Sequence, residues 1–362
     1  MKRPLLEKLQ PPLMLLKALY LRNFRNFAEQ EISFAPGLNL IWGDNAQGKT
    51  NLLEAISLFS TGRSFRSQHL AELIREGESF FYLEAQIVQN NVLQSVKISF
   101  DGQNKRLQLN ASSYASFNPL LGTLPLVFHT PSDSELISGS PTERRRFLNL
   151  HLAQSDPLYV HHFSRFWRAM KQRNCLLRAQ GKEPIECWET EMALSAAYLY
   201  KMRKSLIEEI QSPLCDHGKH LSPNEIHALR YHPSSPDHYL QQLEKNRRRD
   251  KELGMTTVGP HRDDLSFWIG SKAAKTFASE GQKKTAVASL KLAEWDRLAD
   301  RLSCSPLMAI DDLGLALDGT RQSHFRECLS KLGQVFITTP SPTTDLSAPY
   351  RIHIQNGSAS LE

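Results

Sequence analysis

The sequence lacks the features that mark membrane-spanning or secreted proteins. None of its apolar runs approaches the roughly 20 residues that cross a bilayer. Its five cysteines are an odd number and include no C-x-x-C pair, which argues against a disulfide framework and against a zinc site. Fixed-period repeats and low-complexity tracts are also missing. These absences predict a soluble protein of the reducing cytoplasm that has no membrane partner.

The composition is otherwise ordinary, apart from an excess of positive charge. The chain has 362 residues, of which 40% are hydrophobic and 23% charged, so it can bury a large core and hold two or three domains. Its formal net charge is +6 and its pI is near 9.0. That excess favours an anionic partner, nucleic acid before membrane. Basic proteins without such partners are common, so the charge alone does not decide the matter.

The most specific motif is a glycine loop at residues 43–50, which matches G-x-x-x-x-G-K-[ST] at every defined position. It follows an apolar run at 38–41 that predicts a strand, and it leads into 51–58, where apolar residues have helical spacing. Strand, glycine loop and helix are the context of a phosphate-binding P-loop. The sequence therefore predicts a nucleoside triphosphate site made by Gly43, Asp44, Asn45, Ala46, Gln47, Gly48, Lys49, Thr50 and Asn51.

A second element supplies the metal-binding carboxylate that such a loop requires. Lys49 is expected to reach the β- and γ-phosphates, and Thr50 to offer its hydroxyl to Mg²⁺. The apolar run at 307–310 predicts a strand that ends in Asp311 and Asp312. We expect Asp311 to orient Mg²⁺ and Asp312 to polarise the attacking water.

Residues 279–282, Ser-Glu-Gly-Gln, form the third candidate element. Ser279 and Gln282 have the spacing of a helix capping box. They also lie one helix upstream of the Asp-Asp strand, where an ABC-type ATPase carries its signature motif. In that class the signature of one subunit closes over the γ-phosphate bound by another, which implies nucleotide-dependent dimers. We predict roles in this composite site for Ser279, Gly281, Gln282 and the γ-phosphate-sensing Thr339, and a D-loop at Asp318.

Two arginine-containing loops are candidates for contact with nucleic acid. Arg22 and Arg25 alternate with aromatic residues in 22–27, and Arg63 and Arg66 lie in the loop after the predicted P-loop helix. Solvated turns and contacts to DNA phosphates both remain open for these residues.

The order of these motifs predicts an α/β P-loop NTPase, an ABC-type ATPase head built from both ends of the chain. Between the two halves we predict an all-helical insertion arm with helices over 156–179, 186–211 and 237–253. The predicted division is an N-terminal extension at 1–13, the head with the P-loop at 14–131, the arm at 132–254, and the head with the signature and the Asp-Asp strand at 255–362.

Taken as a set, the motifs resemble the RecF family of bacterial recombination-repair ATPases, which are related to the chromosome-maintenance ATPases. The matching segments run in the family's order through nearly the whole chain. They are 21–26, 43–54, 62–66, 139–141 with Arg144, Arg145, Phe147 and Leu148, 259–264, Ser279 with Gly281 and Gln282, and 311–312 with 317–318.

The resemblance implies an ATP- and Mg²⁺-dependent homodimer with weak, DNA-stimulated ATPase activity. It implies binding to double-stranded DNA, preference for single-strand/double-strand junctions, and action with RecO and RecR to load RecA at single-strand gaps. Glu280 departs from the family's neutral residue and would place a negative charge near the closing γ-phosphate. The alternative is a nucleotide-gated DNA clamp with negligible hydrolysis. A GTPase is disfavoured, because no N-K-x-D motif occurs.

Overall fold

The computed structural model describes residues 13–179, 184–312, 319–342 and 350–361. The chain forms two compact units. The first unit comprises Met1–Asp133, His220–Ser222 and Ala288–Glu362, and the second comprises Ser134–Lys219 and Pro223–Val287. The division at 131/132 and 254/255 stays a prediction, and residues 255–287 group with the second unit.

The strands and helices alternate in runs along the chain. The strands are β1 Met14–Phe24, β2 Phe27–Ser33, β3 Gly37–Trp42, β4 Phe81–Gln89, β5 Val92–Phe100, β6 Lys105–Leu109, β7 Ser112–Tyr114, β8 Leu126–His129, β9 His227–His232, β10 Asp264–Ile269, β11 Lys272–Ala273, β12 Leu307–Ile310, β13 Gln334–Thr339, β14 Tyr350–Gln355 and β15 Ser358–Leu361. The helices are α1 Lys49–Thr61, α2 Glu135–Ser138, α3 Pro141–Ser155, α4 Pro157–Ala179, α5 Glu186–Leu221, α6 Tyr239–Leu253, α7 Ala274–Phe277, α8 Glu280–Leu302 and α9 Gly319–Ser330.

One sheet of the first unit is antiparallel, with strand order β2-β1-β4-β5-β6-β7. A hairpin joins β4 to β5, which pair across Asn90 and Asn91. Both asparagines have positive φ, 51° and 62°, as a tight hairpin turn with the twist of the flanking strands requires. A second hairpin joins β1 to β2 between the paired residues Phe24 and Phe27.

The other sheet of the first unit has the order β15-β14-β3-β13-β12-β8, parallel except for β15. Alternate residues of β12 enter different hydrophobic clusters: Leu307 and Ala309 join one, and Met308 and Ile310 join the other. Apolar packing on both faces is typical of parallel strands. This arrangement brings the carboxyl ends of β3, β12 and β13 to one edge of the sheet, where the P-loop begins.

The second unit combines helices with the antiparallel sheet β11-β10-β9. The prediction of an all-helical arm at 132–254 is therefore wrong in one element, because β9 lies within it and pairs with β10. The strand is short and polar, with His227 and Leu229 buried and Arg230 exposed, so its pattern is weak in the sequence. Its pairing partner lies more than 30 residues further along the chain, and the Gln211 side chain hydrogen-bonds its other edge at His227 and Leu229.

Helix α5 runs further than predicted. It continues past Gln211 to Leu221 with Pro213 inside it, and the buried Leu214 and Leu221 show that packing outweighs the lost backbone hydrogen bond. Its buried apolar residues include Met192, Ala196, Leu199, Leu206 and Ile210, whose spacing places them along one stripe of the helix. Within the ranges that the structure describes, no helix is both long and apolar enough to cross a membrane.

Buried ion pairs stabilise the second unit and explain one of the matching segments. Arg203 is buried and contacts Asp263 at 2.6 Å, while Arg144 donates to Asp264 at 2.6 and 3.0 Å. A buried charge requires a partner of this kind, because an unpaired one loses its hydration without compensation. The two aspartates that end segment 259–264 are thus structural residues of this unit.

Candidate nucleotide-binding site

The glycine loop between β3 and α1 has a backbone that only glycine fits at its two ends. Gly43 and Gly48 have φ of 147° and 124°. A Cβ at Gly43 would lie 2.2 Å from the Ile354 carbonyl oxygen, and one at Gly48 would lie 2.7 Å from the Asn26 side chain. This is the tight turn that the motif predicts.

Lys49 folds back over the loop. Its Nζ donates to the carbonyl oxygens of Gly43 and Asp44 at 2.6 and 2.7 Å. Burial lowers the pKa of the lysine, although Asp312, Asp311 and Asp44 act in the opposite direction. The ammonium is therefore held at the loop by backbone oxygens, with carboxylates nearby.

Thr50 and Asp311 meet although they are 261 residues apart in the chain. The Thr50 hydroxyl lies 3.0 and 3.1 Å from the two Asp311 carboxylate oxygens. Thr338, at the end of β13, donates its hydroxyl to Asp311 at 2.8 Å, and the Asp312 N–H donates to that same hydroxyl oxygen at 2.8 Å. Asp312 has φ of 59°, a left-handed conformation that is uncommon outside glycine and is often found at functional sites.

A cavity of about 430 Å³ opens beside these groups. Thr339, which is buried and donates to the Ser341 carbonyl at 2.6 Å, belongs to its wall. The lining residues are Asn45, Ala46, Gly48, Lys49, Thr50, Asn51, Arg66, Pro131, Asp311, Asp312, Thr338, Thr339 and Pro340. The structure thus brings most of the predicted loop, metal and hydrolysis residues to one cavity of the first unit.

Asn26 is a neighbour of the loop that the sequence analysis missed. Its side chain donates to the Gln47 carbonyl at 2.7 Å and accepts from Asn51 Nδ2 at 2.8 Å. Gln47 in turn accepts from the Asn356 N–H at 2.6 Å. The β1–β2 turn places Asn26 there. In the sequence, the only signal for this contact is the presence of an asparagine directly after Arg25.

The four arginines predicted as DNA contacts have different surroundings. Arg22 is exposed, with its guanidinium carbon 5.6 Å from the centre of the Phe80 ring. Arg63 is exposed as well. Arg25 instead pairs with Glu54 at 2.8 Å, and Arg66 lines the cavity. Contact with DNA stays a prediction for all four.

Ser279 and Gln282 form a reciprocal capping box at the start of α8, in the second unit. The Ser279 N–H donates to Gln282 Oε1 at 3.0 Å, and the Gln282 N–H donates to Ser279 Oγ at 3.3 Å. Ser279 and Glu280 are exposed, while Gly281 is half-buried. Their role as a signature motif remains a prediction, and the predicted D-loop residue Asp318 lies outside the described residues.

Fold and site together define an ABC-type ATPase head. This fold is shared by two solved structures. One is the Smc head domain of Pyrococcus furiosus with an extended coiled coil, bound to the C-terminal domain of ScpA. The other is the SmcHead bound to the C-winged helix domain of ScpA. Their TM-scores are 0.58 and 0.60 at 16% sequence identity. Each superposition covers at least 96% of this chain and 96% of the solved chain. The family described as RecF/RecN/SMC N terminal domain matches residues 15–357.

The relatives narrow this class. The chain is 42% identical to the DNA replication and repair protein RecF of Protochlamydia amoebophila, over 91% of this chain and 95% of the relative. The RecF protein of Chlamydia caviae is 36% identical, over 95% and 96%. A solved recombination mediator protein, RecF-ATP in the RecFOR pathway, superposes with a TM-score of 0.91 at 28% identity, over 99% and 100% of the two chains. The chain belongs to the RecF family of DNA replication and repair proteins.

Proposed function

We propose that this chain is an Mg²⁺-dependent ATPase whose ATP-bound homodimer grips DNA during replication and recombinational repair. The observation that carries the proposal is the meeting of the Thr50 hydroxyl and the Asp311 carboxylate beside the Lys49 loop. A hydroxyl next to a carboxylate at a P-loop is the donor set that Mg²⁺ and a nucleoside triphosphate require. Nothing in a merely structural strand-to-helix turn would demand that combination.

The chemical types of the residues that line the cavity suit a nucleoside triphosphate with Mg²⁺. Bound Mg²⁺ would neutralise phosphate charge, and Thr50 and Asp311 would hold it. Lys49 would exchange its two backbone acceptors for phosphate oxygens, which bind an ammonium more strongly than neutral carbonyls do. Asp312, at the strand end, would orient water and accept its proton. Thr339, with Ser279, Gly281 and Gln282 of a second copy, would complete the site.

The cellular role rests on family membership. The two solved neighbours of 28% and 29% identity are described as RecF with ATP and as RecF with ATPrS in the RecFOR pathway. For this chain we infer binding to double-stranded DNA and to single-strand/double-strand junctions, and joint action with RecO and RecR to load RecA at gaps. The +6 net charge agrees with a DNA partner.

The proposal is tested by fluorescence anisotropy with labelled duplex and gapped DNA. We expect ATP with Mg²⁺ to tighten binding at least about tenfold, and Lys49→Met to abolish that gain, because the loop loses its phosphate-binding charge. Arg351→Met, a cation of β14 outside the cavity lining, serves as a matched control. DNA affinity that is insensitive both to ATP and to Lys49→Met would contradict the proposal.

A second candidate is a nucleotide-gated DNA clamp with negligible hydrolysis. Glu280 favours it, because this exposed carboxylate opens α8 beside Ser279 and pairs only with Lys283 at 2.7 Å among the contacts described for it. Phosphate release measured with DNA present separates the two candidates. Appreciable, DNA-stimulated release that falls at least about a hundredfold in Asp312→Asn identifies an ATPase, since removal of a general base costs that much. Negligible release by the wild type identifies the clamp.

A further inference from the structure

Glu54 is a buried carboxylate on α1 that no step of the proposed function uses. It lies one helical turn after Thr50, and its side chain is 0% exposed. Arg25 binds it in a bidentate manner, with Nε and Nη2 each donating at 2.8 Å. The Ser64 hydroxyl also donates to it. A carboxylate this deep depends on these charge-assisted bonds, since it has given up its hydration.

A second arginine stands within reach of this carboxylate. Arg66 Nη1 lies 4.0 Å from Glu54 Oε2, while the same nitrogen donates to Asn51 Oδ1 at 2.8 Å. The Arg66 side chain is 47% exposed, against 20% for Arg25. Arg66 and Asn51 both line the nucleotide cavity. Arg66 therefore stands between the buried carboxylate and the cavity, held toward the cavity by Asn51.

The two arginines compete for one negative charge. With Arg25 in its bidentate contact, the carboxylate is neutralised and attracts Arg66 only weakly. Without Arg25, the nearest described cation is Arg66, and a buried carboxylate draws such a cation strongly because water cannot replace it. Movement of Arg66 toward Glu54 would break its bond to Asn51 and remove a positive charge from the cavity.

We propose that Arg25 and Glu54 are positioning residues of the nucleotide site: Arg25 occupies the Glu54 carboxylate, and so leaves Arg66 facing the triphosphate. This inference rests on the proposed nucleotide binding and deepens it. It also changes the interpretation of Arg25 from a DNA contact to an internal ion-pair partner. Its donors are spent on Glu54 and, through Nη1 at 2.8 Å, on the Glu72 carbonyl.

The test is a double-mutant cycle on the affinity for a fluorescent ATP analogue with Mg²⁺. We expect Arg66→Ala to weaken binding about tenfold, as loss of one charge-assisted contact does. Arg25→Ala should weaken it by a similar factor, since Arg66 is then drawn to Glu54. The double variant should bind no more weakly than Arg66→Ala alone. Additive losses, about a hundredfold together, would overturn the proposal.

Further variants separate this account from simple misfolding. Arg25→Ala/Glu54→Gln removes the charge that captures Arg66, so affinity should return to within about twofold of wild type, as it should in Glu54→Gln alone. If Glu54→Gln weakens binding as much as Arg25→Ala, the pair acts through packing and the proposal fails. Arg25→Lys, which keeps a cation at Glu54, should retain affinity, and it provides the test if Arg25→Ala does not fold.

Arg22→Ala is the matched control, because Arg22 lies in the same hairpin and its ring contact is with Phe80. It should leave nucleotide affinity unchanged. Arg25→Ala should leave DNA affinity without nucleotide unchanged, whereas a loss there would assign Arg25 to DNA and contradict the positioning role. If the wild type binds no ATP analogue at all, the proposed function itself fails. If the wild type binds the analogue but the losses of Arg25→Ala and Arg66→Ala are additive, only the positioning role fails.

Discussion

At the scale of single residues, the site depends on a few positions, such as Gly43 and Gly48, whose backbone conformation and surroundings admit only one residue type. The motif at 43–50 is local in sequence, and it predicts the tight turn that the structure has at Gly43 and Gly48. The roles of Lys49 and Thr50 toward phosphate and Mg²⁺ stay predictions. The same local view did not predict Asn26 beside the loop, or Arg66 at the cavity wall. Those placements depend on pairings such as Arg25 with Glu54, which are 29 residues apart.

The glycine at the start of the loop gives a residue-scale prediction. In Gly43→Ala the new methyl group would lie 2.2 Å from the Ile354 oxygen at a φ of 147°, so the loop must shift. We expect nucleotide affinity to fall more than about tenfold, with a lower Tm, as measured by titration and thermal unfolding.

Gly37→Ala is the control for backbone strain alone. Gly37 also has positive φ, 74°, but a Cβ there meets nothing within 4 Å. It should cost about 1 kcal/mol of stability and leave nucleotide affinity unchanged. Equal effects of the two variants on affinity would show that strain, and not the loop shape, governs binding.

At the scale of elements, strongly patterned segments were predictable and weakly patterned ones were not. The hairpin β4–β5 and the long helices carry their own periodicity, and the strand before Asp311 is a continuous apolar run. Strand β9 carries little, since its stability comes from pairing with β10 and from the Gln211 side chain. Helix α5 shows the converse, because Pro213 predicts an end that the packing of Leu214 and Leu221 overrides.

A buried ion cluster joins the segment after β8 to helix α8 within the first unit. Asp133 accepts from the Thr130 N–H at 2.7 Å and lies 3.5 Å from Lys291 and 3.4 Å from His129 Nδ1. Lys291 also pairs with Glu294 at 3.3 Å. Burial acts to raise the pKa of Asp133, but Lys291, His129 and the Thr130 N–H outweigh it, so the pKa lies below its ordinary value.

This shift predicts a component of acid sensitivity. A lowered folded-state pKa means that the unfolded state binds the proton more readily, so the stabilisation is present above the ordinary aspartate pKa of about 4 and is lost as pH falls below it. Asp133→Asn should cost about 2 kcal/mol at pH 6. The difference in Tm from wild type should shrink as pH drops from about 5 to 3, measured by calorimetry. A difference independent of pH would contradict this account.

At the scale of the whole molecule, the proposed function assigns the motifs of the two units to one mechanism that two chains share. The first unit holds the loop, Asp311 and the cavity, and the second holds Ser279 and Gln282 in a capping box. Ser279 and Gln282 satisfy each other's hydrogen bonds in the capping box without a nucleotide. The capping box alone therefore gives no evidence for their role as a signature motif. The position of residues 279–282 along the chain predicts the signature role, and measuring whether ATP causes two chains to associate tests it.

The most direct measurement is the molar mass in solution by light scattering, with and without ATP and Mg²⁺. Asp312→Asn is the form to use, because it should bind ATP and turn it over slowly. We predict a mass near the 41.2 kDa of one chain without nucleotide and about twice that with ATP and Mg²⁺. Ser279→Arg in the same background should bind the ATP analogue and remain a monomer. A chain that stays at 41.2 kDa with ATP bound, or a Ser279→Arg variant that dimerises as readily as its parent, would contradict the central claim.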